Sequence, residues 1–200
     1  MIEDVEPVTY VYAFDHPHEL TLEELKELIG GKGANLAEMT TALGLPVPPG
    51  FTVSTAACRA YLGAGWPDGL DEELRRHVEY LEAALGRSFG DPATPLLVSG
   101  RSGAAISMPG MMDTILNLGL NDETTAGLAA TEGGAEFAAA CRDRLEEGYR
   151  DIVGTTEVPA DPWEQLRGAI EAVFRSWNGD RARSYRRREG IPDDMGTGVT

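Results

Sequence analysis

Three short segments hold the residue types that grip phosphate. The first is GGKGAN, residues 30–35, where Lys32 stands between glycines at the mouth of a candidate helix. Glycines let a backbone come close to a ligand, a helix N-terminus supplies unpaired N–H groups and the positive end of its dipole, and an ammonium adds a point charge. Together they read as an anion site. The segment is not a Walker A motif, which needs another spacing and a hydroxyl after the lysine. A plain glycine turn between two helices would use the same residues without a ligand. The second segment is SGRSGA, residues 99–104, in which small residues flank Arg101. A guanidinium so placed can reach across a cleft and clamp a polyphosphate through paired donors, or pair with a carboxylate in a turn. The third is SMPGMMDT, residues 107–114, with Met108, Met111 and Met112 on one glycine-containing loop that closes on Asp113 and Thr114. Methionines adapt their shape, so this loop suits a lid over a base or phosphate, or equally a hydrophobic plug beneath a sheet.

The rest of the chain offers less chemistry. Its 17 basic residues include only two lysines, Lys26 and Lys32. A chain that otherwise uses arginine should keep lysine where a compact, strongly hydrated ammonium on a flexible stem is needed, which singles out Lys32. The arginines of RARSYRRR, residues 181–188, fall on different helix faces with Tyr185 as their one aromatic neighbour; this reads as a solvated helix more than as an RNA surface. Acidic residues outnumber basic ones 33 to 17, and the net charge of −16 opposes general binding to nucleic acid or anionic lipid. His16, His18 and His77 form neither a metal set nor a catalytic triad, and no metal site is expected. Cys58 and Cys141 make no CxxC pair and read as two reduced, buried thiols. The N-terminus is acidic and no apolar run approaches the ~18 residues of a membrane span, so the expectation is a soluble cytoplasmic chain with no membrane partner.

These segments need a frame, and 200 residues that are 42% hydrophobic and 25% charged can bury a core of one domain or slightly more. Residues 9–14 read as a strand. Thr21 and Glu24 form a capping box for a short helix that Gly30 and Gly31 stop. A second helix over 33–43, starting near Lys32, would turn Leu36, Met39 and Leu43 inward. Pro46, Pro48 and Pro49 force an extended entry into a strand at 51–53, after which Ser54 or Thr55 caps a helix. Residues 71–85 form the clearest amphipathic helix, on Leu74, Val78, Leu81 and Leu85. A strand at 96–99, a long loop and a strand-like run at 115–118 come next. Helices then carry Phe137, Cys141, Leu145 and Ile152, and, from Asp161 and Pro162, Leu166, Ile170, Val173, Phe174 and Trp177. A subdomain boundary is placed near 121–135. A last helix spans 180–189, and residues 196–200 look like the start of a strand with no partner after it.

In order, GGKGANLAEM, LPVPPGFTVST, LLVSGRSGA, SMPGMMDTILNLGLND, DPWEQL, AVFRSWN and YRRREGIPDDMGTGV resemble the N-terminal nucleotide-binding region of the pyruvate, phosphate dikinase family, from about Thr9 to Val199. The SMPGMMDTILNLGLN stretch is the most specific, since the related phosphoenolpyruvate synthases and rifampicin phosphotransferases carry a FAGQQDT-like stretch there. The resemblance implies an α+β fold, the front half of an ATP-grasp domain with an appended helical subdomain: 1–126, 127–195, and a truncated strand at 196–200. It implies an enzyme that interconverts ATP, pyruvate and phosphate with AMP, phosphoenolpyruvate and diphosphate, using Mg²⁺ and a phosphohistidine carrier. The family's nucleotide-site lysine falls on Lys32 and its phosphate-contacting arginine on Arg101. The nucleotide contacts it implies are Gly31, Lys32 and Gly33; Arg101, Ser102, Gly103 and Ala105; Ser107, Met108, Pro109 and Gly110; and Asp113 and Thr114.

Several positions depart from the family. Gly100 stands where valine is usual, Gly179 and Asp180 replace Asn-Pro, Thr200 replaces asparagine, and the stretch between Phe137 and Asp161 is shorter by some tens of residues. The magnesium ligands, the carrier histidine and the pyruvate-binding barrel are expected downstream, so this chain alone should bind ATP without turning over. Pyruvate, phosphoenolpyruvate and phosphate would be met only through those absent parts, and the full-length enzyme could be a homodimer. Two other readings use the same residues. One is the front half of a related phosphotransferase with another acceptor; the other is a non-catalytic protein that binds nucleotide or a partner.

Overall fold

The computed structural model describes residues 8–110, 114–131, 133–155 and 157–200. Strand β1 (Val11–Ala13) leads into helix α1 (Leu22–Thr41) through the expected capping box. The Thr21 hydroxyl accepts from the Glu24 amide at 3.4 Å, and the Glu24 carboxylate accepts from the Thr21 amide at 2.9 Å. Of the two glycines only Gly30 interrupts this helix, with φ 73° and ψ 162°, and helix resumes at Gly31. Then follow β2 (Phe51–Val53), α2 (Thr55–Ala64) capped by Ser54, α3 (Leu70–Leu85), β3 (Val98–Gly103), β4 (Thr114–Leu118), α4 (Asp122–Thr131), α5 (Gly134–Val153), α6 (Pro162–Ser176), α7 (Asp180–Glu189) and β5 (Gly198–Val199). Among the described residues no helix is long and apolar enough to cross a membrane.

The strands form one antiparallel sheet in the order β1-β2-β5-β3-β4. The strand expected at 196–200 is therefore central: Val199 lies opposite both Val53 and Ser102, and Thr200 exchanges two backbone hydrogen bonds with Arg101. Alternation along each strand sorts side chains to two faces. Val11, Val53 and Val199 enter the main core with Leu74, Val78, Leu166, Ile170 and Phe174 from α3 and α6. Tyr12 and Thr52 face α1, which packs Ile29, Ala34 and Ala37 on the other side. Residues on both sides of the boundary expected near 121–135 share the main core, since Ala138, Cys141 and Leu145 of α5 join it. Each such fully buried aliphatic side chain contributes about 1.5–3 kcal/mol.

The structure corrects four expectations. Strand β3 begins at Val98 and runs through Gly103, so residues 100–103 are strand and not the loop after one. On α1, Gly33, Ala34 and Ala37 turn inward, while Met39 and Leu43 are exposed and Leu36 is half-buried. The reason is distance: a Cβ on Gly33 would come within 2.7 Å of the Thr52 hydroxyl, so the helix lies too close to the sheet for leucines. Leu85 and Phe137 are exposed at helix edges. Arg186, expected in a solvated helix, is fully buried: its guanidinium stacks on Trp177 at 4.2 Å, donates to Asp193 at 2.7 Å and reaches the Trp177 carbonyl.

Candidate functional site

Three elements meet around a cavity of about 450 Å³: the middle of α1, the end of β3, and the loop that follows it. Gly30 sets their approach. Its φ of 73° is open to glycine, and a Cβ there would overlap the Gly103 carbonyl oxygen, so α1 and β3 touch backbone to backbone. The Gly31 amide donates to the Ala104 carbonyl at 2.9 Å. Both glycines therefore serve approach of helix to strand, and one of the N–H groups expected to be unpaired at the restarted helix is already bonded.

Lys32 follows directly. Its ammonium donates to the Ser102 carbonyl at 2.6 Å and borders the cavity. Burial lowers its pKa first, and the charge of Arg101 lowers it further. Arg101 pairs with Thr200, just past β5, and with Thr114 on β4. Strand alternation sends its side chain to the face of Thr200, whose hydroxyl lies 3.2 Å from that of Thr52, the face against α1. The two cations thus lie on one face of the sheet, near enough to repel. Among the described residues neither is paired with a carboxylate. Their mutual repulsion is what an incoming polyanion would relieve.

The loop is fixed by Met108, which is buried with Ala104, Trp177, Ala182 and Ile191. Met108 is thus packed beneath the loop and also borders the cavity. Ser107, Pro109 and Gly110 are exposed around it and border the cavity with Gly31, Ser102, Gly103 and Ala105. Three expected contacts stand elsewhere. Gly33 is buried against Thr52, Arg101 borders a neighbouring groove, and Thr114 lies across the ladder from Arg101. Asp113, with Met111 and Met112, lies outside the described residues. Lys26 and Asn35 also line the cavity, though neither was among the expected contacts. Asn35 was findable, being three residues from Lys32 on one helix face. Lys26 was not, because the break at Gly30 voids helical arithmetic across it.

A restarted helix that presents Lys32 over a polar cavity, with Arg101 on the same face of the sheet beside it, suits a phosphorylated ligand. Comparison with known proteins specifies the class. Residues 26–66 and 63–200 match the family described as pyruvate phosphate dikinase, AMP/ATP-binding domain, and the chain belongs to that family. It is 41% identical over 238 residues to pyruvate, phosphate dikinase of Rhizobium meliloti, covering 95% of this chain and 26% of that protein. It is 42% identical over 222 residues to the chloroplastic pyruvate, phosphate dikinase 1 of Arabidopsis thaliana, covering 88% and 23%. Against the Clostridium symbiosum pyruvate, phosphate dikinase it is 38% identical over 239 residues, covering 95% and 27%. The chain thus spans about a quarter of the length of the curated relatives it matches. Because the 238-residue match engages only 95% of a 200-residue chain, some tens of positions in that relative have no counterpart here.

Proposed function

We propose that this chain is the ATP-binding portion of a pyruvate, phosphate dikinase-like phosphotransferase, the front half of an ATP-grasp domain. Lys32 and Arg101 neutralise the polyphosphate, and the exposed backbone around residues 107–110 borders it. Phosphoryl transfer asks mainly for positioning and charge neutralisation, which these groups supply without covalent chemistry. The observation that carries the reading is the shared face: the Lys32 ammonium, donating to the Ser102 carbonyl, and the Arg101 side chain lie on one side of the sheet, with no carboxylate on either among the described residues. Among the described residues no group of three or more His, Cys, Asp or Glu side chains could hold a metal ion, so Mg²⁺ is assigned no ligand here. Pyruvate and inorganic phosphate belong to the parts of the relatives that this chain does not match.

Calorimetric titration with Mg·ATP tests the reading. The wild-type chain should bind one equivalent. Lys32→Ala and Arg101→Ala should each weaken binding about 10- to 100-fold, the effect of losing one charge-assisted contact worth roughly 1.5–3 kcal/mol. Wild-type heat that both substitutions leave unchanged would refute the assignment of these two residues. No heat in any of the three would refute nucleotide binding by this chain.

A further inference from the structure

The two lysines of this chain, Lys26 and Lys32, border one cavity, while its other basic residues are all arginine. Both lie in α1, six residues apart. In an unbroken helix six residues turn by about 600°, which leaves two side chains roughly 120° apart. The break at Gly30 removes that constraint, and both side chains reach the same space. Each ammonium then uses one of its three donors on the protein: Lys32 on the Ser102 carbonyl at 2.6 Å, Lys26 on the Glu23 carboxylate at 2.7 Å. The two partners differ in kind. Ser102 belongs to the sheet, whereas the Glu23 side chain is 82% exposed on the first turn of α1. The Lys26 side chain is only 27% exposed, so its stem is packed and limits how far the ammonium can swing from the cavity.

We propose that Lys26 is a third ligand-contacting cation of the nucleotide site, held by Glu23 until a polyphosphate enters and then turned onto its oxygens, so that the site favours ATP over AMP. The inference rests on nucleotide binding at this cavity and adds the residue that reads phosphate number. An exposed ion pair three residues apart on a helix contributes little, so exchanging the Glu23 oxygen for a phosphate oxygen costs little. What the exchange gains depends on the ligand. Coulomb attraction scales with the product of the charges, and the triphosphate carries the larger charge. Lys32 and Arg101 suffice for a single phosphate; a longer chain leaves negative charge that a third cation neutralises. Lysine suits such an exchange, because a compact ammonium on a flexible stem swaps one oxygen for another without the two-point geometry of a guanidinium. Glu23 is then a built-in competitor, and removing its charge should tighten the site.

Isothermal titration of the whole 200-residue chain with ATP and with AMP, both in magnesium-free buffer, tests this. Lys26→Met keeps the packed stem and removes the charge. It should weaken ATP about tenfold and AMP by less than about threefold, with the thermal transition retained. Glu23→Gln should tighten ATP about two- to threefold, and that gain should vanish in the Glu23→Gln/Lys26→Met double variant. Equal weakening of both nucleotides by Lys26→Met, or weakening of neither, would overturn the proposal; if Lys32→Ala still weakens ATP in the same buffer, the nucleotide site itself stands. A Glu23→Gln gain that persists without Lys26 would overturn the pairing, by showing that the carboxylate repels the anion directly. Wild-type chain that binds neither nucleotide would overturn the site and this inference together.

Discussion

Gly30→Ala should destabilise this protein more than any surface substitution can, and the reason lies in two independent terms. The first is conformational. Gly30 sits at φ 73°, ψ 162°, a region essentially closed to residues with a Cβ, which costs about 1–3 kcal/mol. The second is steric. The new Cβ would fall on the Gly103 carbonyl, 2.6 Å from its carbon, so α1 and β3 must separate by more than a side-chain adjustment; overpacking of this kind costs about 1–3 kcal/mol. The sum, roughly 2–6 kcal/mol, is a large part of the ~5–15 kcal/mol that holds a domain together. At ~2–4 °C per kcal/mol for a chain of this size, the transition should fall by about 5–20 °C. Urea denaturation followed by far-ultraviolet circular dichroism measures it. Gly63→Ala is the matched control: it lies in α2 with nothing within 4 Å of its Cβ position, and should stabilise by about 0.5–1 kcal/mol. Two variants equal within 0.5 kcal/mol would refute the claim that α1 and β3 meet backbone to backbone, and with it the placement of Lys32 over Ser102.

Two further outcomes concern the frame. Gln165 is fully buried, accepts from the Gly119 amide at 2.8 Å and donates to the Leu120 and Pro159 carbonyls at 2.9 and 2.7 Å. Gln165→Leu, which keeps the size and removes all three bonds, should cost about 2–5 kcal/mol in the same urea experiment, and a loss below 1 kcal/mol would refute its role as a three-way backbone tie. Burial pushes the Cys58 thiol up to about 11. A raised thiol pKa favours the folded state fully below the unfolded value and loses that contribution as pH climbs through the folded one, so stability should decline between about pH 9 and 11. Cys58→Ala should flatten that decline, and an unchanged alkaline profile would assign it to other groups.

The parts of the site that were legible in the sequence are those where residue type alone restricts chemistry. A lysine between glycines and an arginine between small residues both read as anion contacts, and both emerge on one face. What stayed hidden was why the small residues are there. Gly30, Gly31 and Gly33 looked like room for a ligand, whereas two of them admit β3 and the third admits Thr52. Composition does not distinguish a backbone that approaches phosphate from one that approaches a strand, because both demand the missing Cβ. The same ambiguity misplaced β3, since two glycines and two serines in five residues depress strand propensity until ladder partners on both sides override it. The leucines of α1 failed for the complementary reason: periodicity ranks faces by hydrophobicity, but close packing ranks them by size.

The arginine-rich helix shows how far a site's support can lie from its chemistry. By charge alone α7 is a candidate binding surface, yet Arg186 turns inward beneath Trp177, which packs with Met108. A cation from the end of the chain thus steadies the aromatic ring that anchors the loop at residues 107–110. The Trp177 indole N–H donates to the Asp193 carbonyl at 2.8 Å while the Asp193 carboxylate accepts from Arg186, so ring, cation and turn hold one another. This makes α7 a support behind the loop, although none of its residues lines the cavity. It also explains why an acidic chain keeps an arginine there: a planar cation can stack on indole and pair with a carboxylate at once, which a lysine cannot do.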